Sequence, residues 1–203
     1  MTTLAAPAGW LRTFFGPSRT PAETILGLLG GAAVIAMLVT YIRHAGGWHD
    51  WSALQIVIVA VTGLDLVGGV FTISATTASC WYHRPGPAAQ RFRMTFVISH
   101  AVLYLVPVTA VFGLGWTWML ANAGLLLGAA ALIEGAPVDL KRMVALALTL
   151  IAALANRIWL PIPSALQWLP LLLMVKVLVC FLLPALSGRE APADQNCTAG
   201  GAC

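Results

Sequence analysis

Charge is what this chain has least of. Only 9% of its 203 residues are Asp, Glu, Lys or Arg, whereas a soluble domain carries roughly 25%. The shortage excludes a chain surrounded by water, and hydrophobic residues fill 60% of the sequence instead. The 11 Lys and Arg outnumber the 7 Asp and Glu. Beside long apolar runs, however, they read as topology signals and not as a nucleic-acid surface. Cysteine is scarce too, and two of the four, Cys197 and Cys203, lie in the tail, on the side where thiols stay reduced. No Cys-x-x-Cys, His-Glu-x-x-His or Gly-rich phosphate loop is present, nor the Gly-x-Ser-x-Gly of a serine hydrolase. His44, His49 and Asp50 are metal-ligating types, but their spacing suits no single helix face. Neither a metal nor a cofactor is expected.

What the chain does have is apolar length. A hydrocarbon core of roughly 30 Å takes about 20 helical residues to cross. Six runs qualify, near 23–43, 52–76, 94–112, 115–134, 138–158 and 165–186. They are continuous, which selects helices over the alternating strands of a barrel. The expected fold is all-α: a polytopic integral membrane protein, a six-transmembrane-helix bundle forming one domain over 23–186. Residues 1–22 make a cytoplasmic or interfacial N-terminal segment, uncleaved because no small-residue site follows the first run. Residues 187–203 make a disordered cytoplasmic tail. The sequence Asn196-Cys197-Thr198 fits a glycosylation acceptor, which a cytoplasmic tail leaves unused.

Six crossings put both termini on one side. That side holds Arg12, Arg19, Arg84, Arg91, Arg93, Lys141, Arg142 and Arg189, against Arg43 and Arg157 opposite. The positive-inside bias therefore places both termini in the cytoplasm, with the plasma membrane as location, or the inner membrane in a bacterium. Trp48, Trp51, Trp116, Trp118, Trp159 and Trp168 fall at the outer boundary, and Trp10 and Trp81 at the inner one.

Against this apolar background a few polar residues stand out, since ionisable groups inside spans are costly and mark function. On the second run, Gln55, Thr62, Asp65, Gly69, Thr72 and Thr76 fall in one stripe about 100° wide. Gly68 and Gly69 suit the approach of a neighbouring backbone. His100, Tyr104 and Pro107 share a face of the third run at i, i+4 and i+7. Lys176 lies about eleven residues into the last run, near the depth of Asp65. A lysine there costs about 2.5–3.5 kcal/mol on insertion scales, which pairing with Asp65 offsets in part. The competing reading is a lysine stretching towards headgroups. Asn122 and Asn156 read as hydrogen bonds between helices. Trp81-Tyr82-His83-Arg84-Pro85-Gly86 is either an aromatic belt with a basic turn or, through His83 and Arg84, a phosphate contact.

An internal echo, Gly27-Leu28-Leu29-Gly30-Gly31-Ala32-Ala33 against Gly124-Leu125-Leu126-Leu127-Gly128-Ala129-Ala130, raises an inverted repeat as in transporters. Helix-packing glycines explain it equally well. The functional expectation is binding or transport of a small solute, ion or lipid headgroup. Its substrate-binding residues are Asp65, Thr72, His100, Tyr104, Lys176, His83 and Arg84. One alternative is a membrane-embedded enzyme acting on a lipid at the cytoplasmic face, with Asp65, His100 and His83 catalytic. Another is a structural subunit of a membrane complex. The bilayer is the partner in every case, and a homo-oligomer is left open.

Overall fold

The computed structural model describes residues 20–184. Every regular element among them is helical: α1 Pro21–His44, α2 Ala53–Ile73, the short α3 Thr76–Tyr82, α4 Pro87–Phe112, α5 Trp116–Gly135, α6 Lys141–Ile158 and α7 Ser164–Phe181. Five of these (α1, α2, α4, α5 and α7) are long and apolar enough to cross a membrane. The chain is therefore an all-helical membrane protein. The expected N-terminal segment and polar tail lie almost wholly outside the described residues.

The helix starts follow local chemistry. Thr20 and Glu23 close a capping box at α1, with Pro21 in the first turn, and Ser52 with Gln55 repeats the device at α2. Each box satisfies backbone N–H groups that a helix start leaves without partners. Gly113, at φ +63°, ends α4 in the left-handed conformation that glycine adopts at least cost. The bare turn Gly113-Leu114-Gly115 follows.

Three expected boundaries shift, and one is the last run, whose helix ends at Phe181 and not at 186. The second run stops at Ile73, not 76, because Ala75 is extended and the chain restarts as α3, whose Thr76 N–H is held by Glu23 Oε1 at 3.1 Å. Thr76 therefore leaves the α2 stripe. The expected loop over 77–93 is mostly helix, since Gly86 at φ +118° and Pro87 start α4 seven residues early. Arg91 and Arg93 thus sit on a helix.

Contacts between the helix ends define the bundle's direction. At one end, Glu23 reaches Thr76, Arg93 reaches Glu134, and Ser79 donates to the Leu183 carbonyl. At the other, Tyr41 donates to the Ser164 carbonyl at 2.6 Å and Gln55 to the Val111 carbonyl at 3.2 Å. The first end also carries Arg84, Arg91, Lys141 and Arg142, and we call it the basic end. Lys141 starts α6 beside Glu134 there, while Ser164 follows α6 at the far end. All six long helices therefore run the length of the bundle.

The centre of the bundle is α7, with 61% of its apolar window buried against 6% for α1. It packs against α2, α5 and α6. The outer helix α1 docks on α2 through a glycine row, where a Cβ on Gly30 would come within 2.6 Å of the Phe71 ring. Gly124 and Gly128, their counterparts in the sequence echo, have open space instead. The two glycine runs do different work. On α6, Ala145, Thr149, Ala152 and Ala155 face inward while Met143, Leu150, Ile151 and Leu154 face out. Small residues inside and large apolar ones outside is the pattern of helices packed in lipid. The tryptophans divide likewise: Trp159 is 73% exposed, but Trp118 and Trp168 are buried in the core.

Candidate functional site

The α2 stripe does not act as one surface. Gln55 is used at the far end, and Thr72 donates to the Gly69 carbonyl of its own helix at 3.3 Å. Asp65 is the member that makes a centre. Its carboxylate accepts from the Lys176 ammonium of α7 and from the Tyr104 hydroxyl of α4. Lys176 Nζ also donates to the Asp65 carbonyl at 3.2 Å and lies 3.3 Å from the Tyr104 oxygen. Three helices thus meet at one ion pair.

The two partners have unequal surroundings. The Lys176 side chain is 2% exposed, while that of Asp65 is 52% exposed. The lysine does not escape to the headgroups; it is enclosed among Leu173, Val177 and Leu178. Burying an ammonium without a partner is prohibitive, so the carboxylate is a condition of its position. Room for it comes from Gly69, where a Cβ would lie 2.7 Å from Lys176 Nζ and 2.9 Å from Cδ. The expected backbone approach is therefore corrected: Gly69 admits a lysine side chain, and Gly68 has open space around it.

Local helix geometry contributes. Tyr104 falls in a wide, π-type stretch at Ala101–Leu105 and Lys176 in another at Val175–Phe181. Such stretches recur at functional positions because the extra residue per turn re-aims side chains. In α4 the cause is at hand. Pro107 has no N–H to give the Leu103 carbonyl, so the ladder is broken just after the stretch. The sequence displays Pro107, but not which side chain the widening would turn inward.

His100 stands next to this centre without joining it. Its Nδ1–H donates to the Phe96 carbonyl at 2.8 Å, and its ring lies 5.2 Å from that of Tyr104. A carbonyl can only accept, so Nδ1 carries a proton, and in the neutral ring Nε2 keeps a lone pair. His100 stacks on Phe96 at 3.8 Å, Phe96 on Phe181 at 3.8 Å, and Phe181 meets Tyr82 at 5.2 Å. This aromatic column joins the basic end to the polar centre, and no spacing rule picks it out of the sequence.

His83 and Arg84 are engaged elsewhere. His83 Nε2 donates to the Phe181 carbonyl at 3.0 Å; burial first, then Arg93 and Lys141, hold its pKa below the ordinary histidine value. Arg84 donates to the Trp81 carbonyl at 2.9 Å and lies over the Trp81 ring at 4.5 Å. Both contacts are internal to the protein. The strongest ion pair near them went unread in the sequence: Arg93 grips Glu134 with two bonds of 2.6 and 3.0 Å and the Tyr82 carbonyl with a third, while Lys141 stands 3.9 Å away. Glu134 was the available signal, a carboxylate ending an apolar run that carries no other acid. Asn122 and Asn156 do bond each other, at 2.8 Å.

Among the described residues no three His, Cys, Asp or Glu side chains gather as a metal site would require. No known protein family matches the chain, and neither a curated protein nor a solved structure matches it.

Proposed function

We propose that this is a six-span membrane protein with cytoplasmic termini that binds a small solute or cation at Asp65 and carries it, or the proton it displaces, through the bundle. The observation behind this reading is the asymmetry of the pair: an enclosed ammonium held by a carboxylate that is itself half open. An ion pair needed only for packing gains from covering both partners. Where the open side of the carboxylate meets water, a proton or a cationic group competes with Lys176 for the same oxygens. Tyr104 then serves as the alternative partner, its hydroxyl 3.3 Å from the ammonium. His100, its ring 5.2 Å from that of Tyr104, is a group able to pass a proton on.

The sixth span is α6, which differs from the other five by carrying Lys141, Arg142 and Arg157. Those charges sit at its two ends and its middle is apolar, as a crossing helix requires. With the basic end inside, the bundle obeys the positive-inside bias in the plasma membrane. Reporter fusions in the turns at 45–51 and 83–86 check that orientation.

The functional test uses sealed vesicles loaded with a pH-sensitive dye, with an imposed proton or sodium gradient. The Asp65→Asn variant should lose at least about tenfold in dye response while inserting normally, since the exchangeable charge is gone. Equal responses from Asp65→Asn and the parent would end the transport reading. If His100→Ala were silent as well, a structural subunit is what remains.

A further inference from the structure

A second polar space lies at the basic end, apart from the Asp65 centre. It is a cavity of about 500 Å³ where α2 stops, α3 starts, and the first turns of α6 meet the end of α7. Arg142 lines it together with Ser74, Thr76 and Ser79, and Leu146, Val179 and Leu183 form much of its apolar wall. Arg142 takes part in none of the ion pairs among the described residues, which use Arg93, Lys141 and Lys176. Lys141, its sequence neighbour, is committed to Glu134. Among the described residues Arg142 is the one charged side chain lining the cavity. The nearby Glu23 carboxylate does not line it and is bound to the Thr20 and Thr76 backbone.

We propose that this cavity holds a phosphate group, supplied by an anionic lipid headgroup or by a free phosphate compound. A guanidinium offers a fork of donors that matches phosphate oxygens, and the Ser74 and Thr76 hydroxyls can add neutral donors. The apolar wall beside them fits the glycerol and first acyl carbons of a lipid, which a free phosphate would leave unfilled. Position agrees: the cavity opens at the level where the apolar spans end, the depth of headgroups. His83 and Arg84, the basic pair that the sequence offers for this task, are tied to the Phe181 and Trp81 carbonyls. The anion site moves from that turn to the start of α6. It stands whether or not Asp65 carries anything across the membrane.

The test uses the whole protein in a neutral maltoside detergent. Phosphatidylglycerol, phosphatidylcholine and inorganic phosphate are titrated separately, with thermal melting and native mass spectrometry as readouts. Phosphatidylglycerol should raise the melting temperature saturably and remain bound at one copy. Arg142→Gln should weaken that binding by at least about tenfold, the scale of one lost charge-assisted contact. Arg157→Gln, at the far end, should leave it unchanged. Leu146→Trp, which keeps the arginine but fills the space, should abolish binding. Inorganic phosphate acting alone, and still requiring Arg142, assigns the site to a soluble phosphate; a response confined to phosphatidylglycerol assigns it to lipid. A response that survives both Arg142→Gln and Leu146→Trp overturns the site.

Discussion

Two adjacent glycines allow a sharp test of how the polar centre is built. Gly68 and Gly69 both lie inside α2, where glycine is unfavourable relative to alanine by about 0.5–1 kcal/mol. At Gly68 nothing stands within 4 Å of a new Cβ, so Gly68→Ala should gain about that amount. At Gly69 the new Cβ would meet Lys176 Nζ at 2.7 Å and Cδ at 2.9 Å, against relaxed contacts of about 3.5–4.0 Å. The lysine must swing away from its slot, and it then loses the Asp65 carboxylate and carbonyl together. Breaking a buried pair costs about 3–5 kcal/mol. Because Asp65 is half exposed, part of that is already relieved by its surroundings. After subtracting the helix gain, Gly69→Ala should destabilise by about 1–3 kcal/mol. Unfolding in mixed micelles with increasing dodecyl sulfate, read by tryptophan fluorescence, measures both variants. In a Lys176→Ala background the Gly69→Ala loss should vanish, since nothing is left to collide with. If both glycines respond alike, or if the loss persists without the lysine, the slot is not what Gly69 provides.

Two more outcomes follow from the basic end. Glu134→Gln leaves the largely buried Arg93 guanidinium facing a neutral amide, and should cost about 2–3 kcal/mol in the same unfolding assay; an Arg93→Met, Glu134→Met double variant should recover most of it, and strict additivity of the two changes would refute the coupling. His83 has a folded pKa below its ordinary value of about 6.5, with burial the main cause. In the unfolded chain it gains a proton as pH falls below about 6.5, while in the bundle it does so only at lower pH. Stability should therefore hold above that pH and decline below it, and a His83→Gln variant should show a shallower decline between about pH 7 and 5.

Composition alone made this a helical membrane protein, because so little charge and such long apolar runs have no stable arrangement in water. The sequence also marked Asp65 and Lys176, since each is expensive where it lies and the pair relieves the cost. It placed most helices within a few residues, missing at the basic end, where Gly86 and Glu23 redirect the backbone.

Which polar groups meet was a tertiary decision. Asp65 and Lys176 are 111 residues apart, and their contact depends on helix rotation, on two wide turns and on the missing side chain at Gly69. The same packing bound His83 and Arg84 to nearby carbonyls, joined Arg93 to Glu134, and left Arg142 beside a cavity. Sequence periodicity gives each residue an angle about its own helix, but not the azimuth of one helix against another. In lipid that azimuth is set by close packing of small residues and by the few ion pairs that cannot be left open.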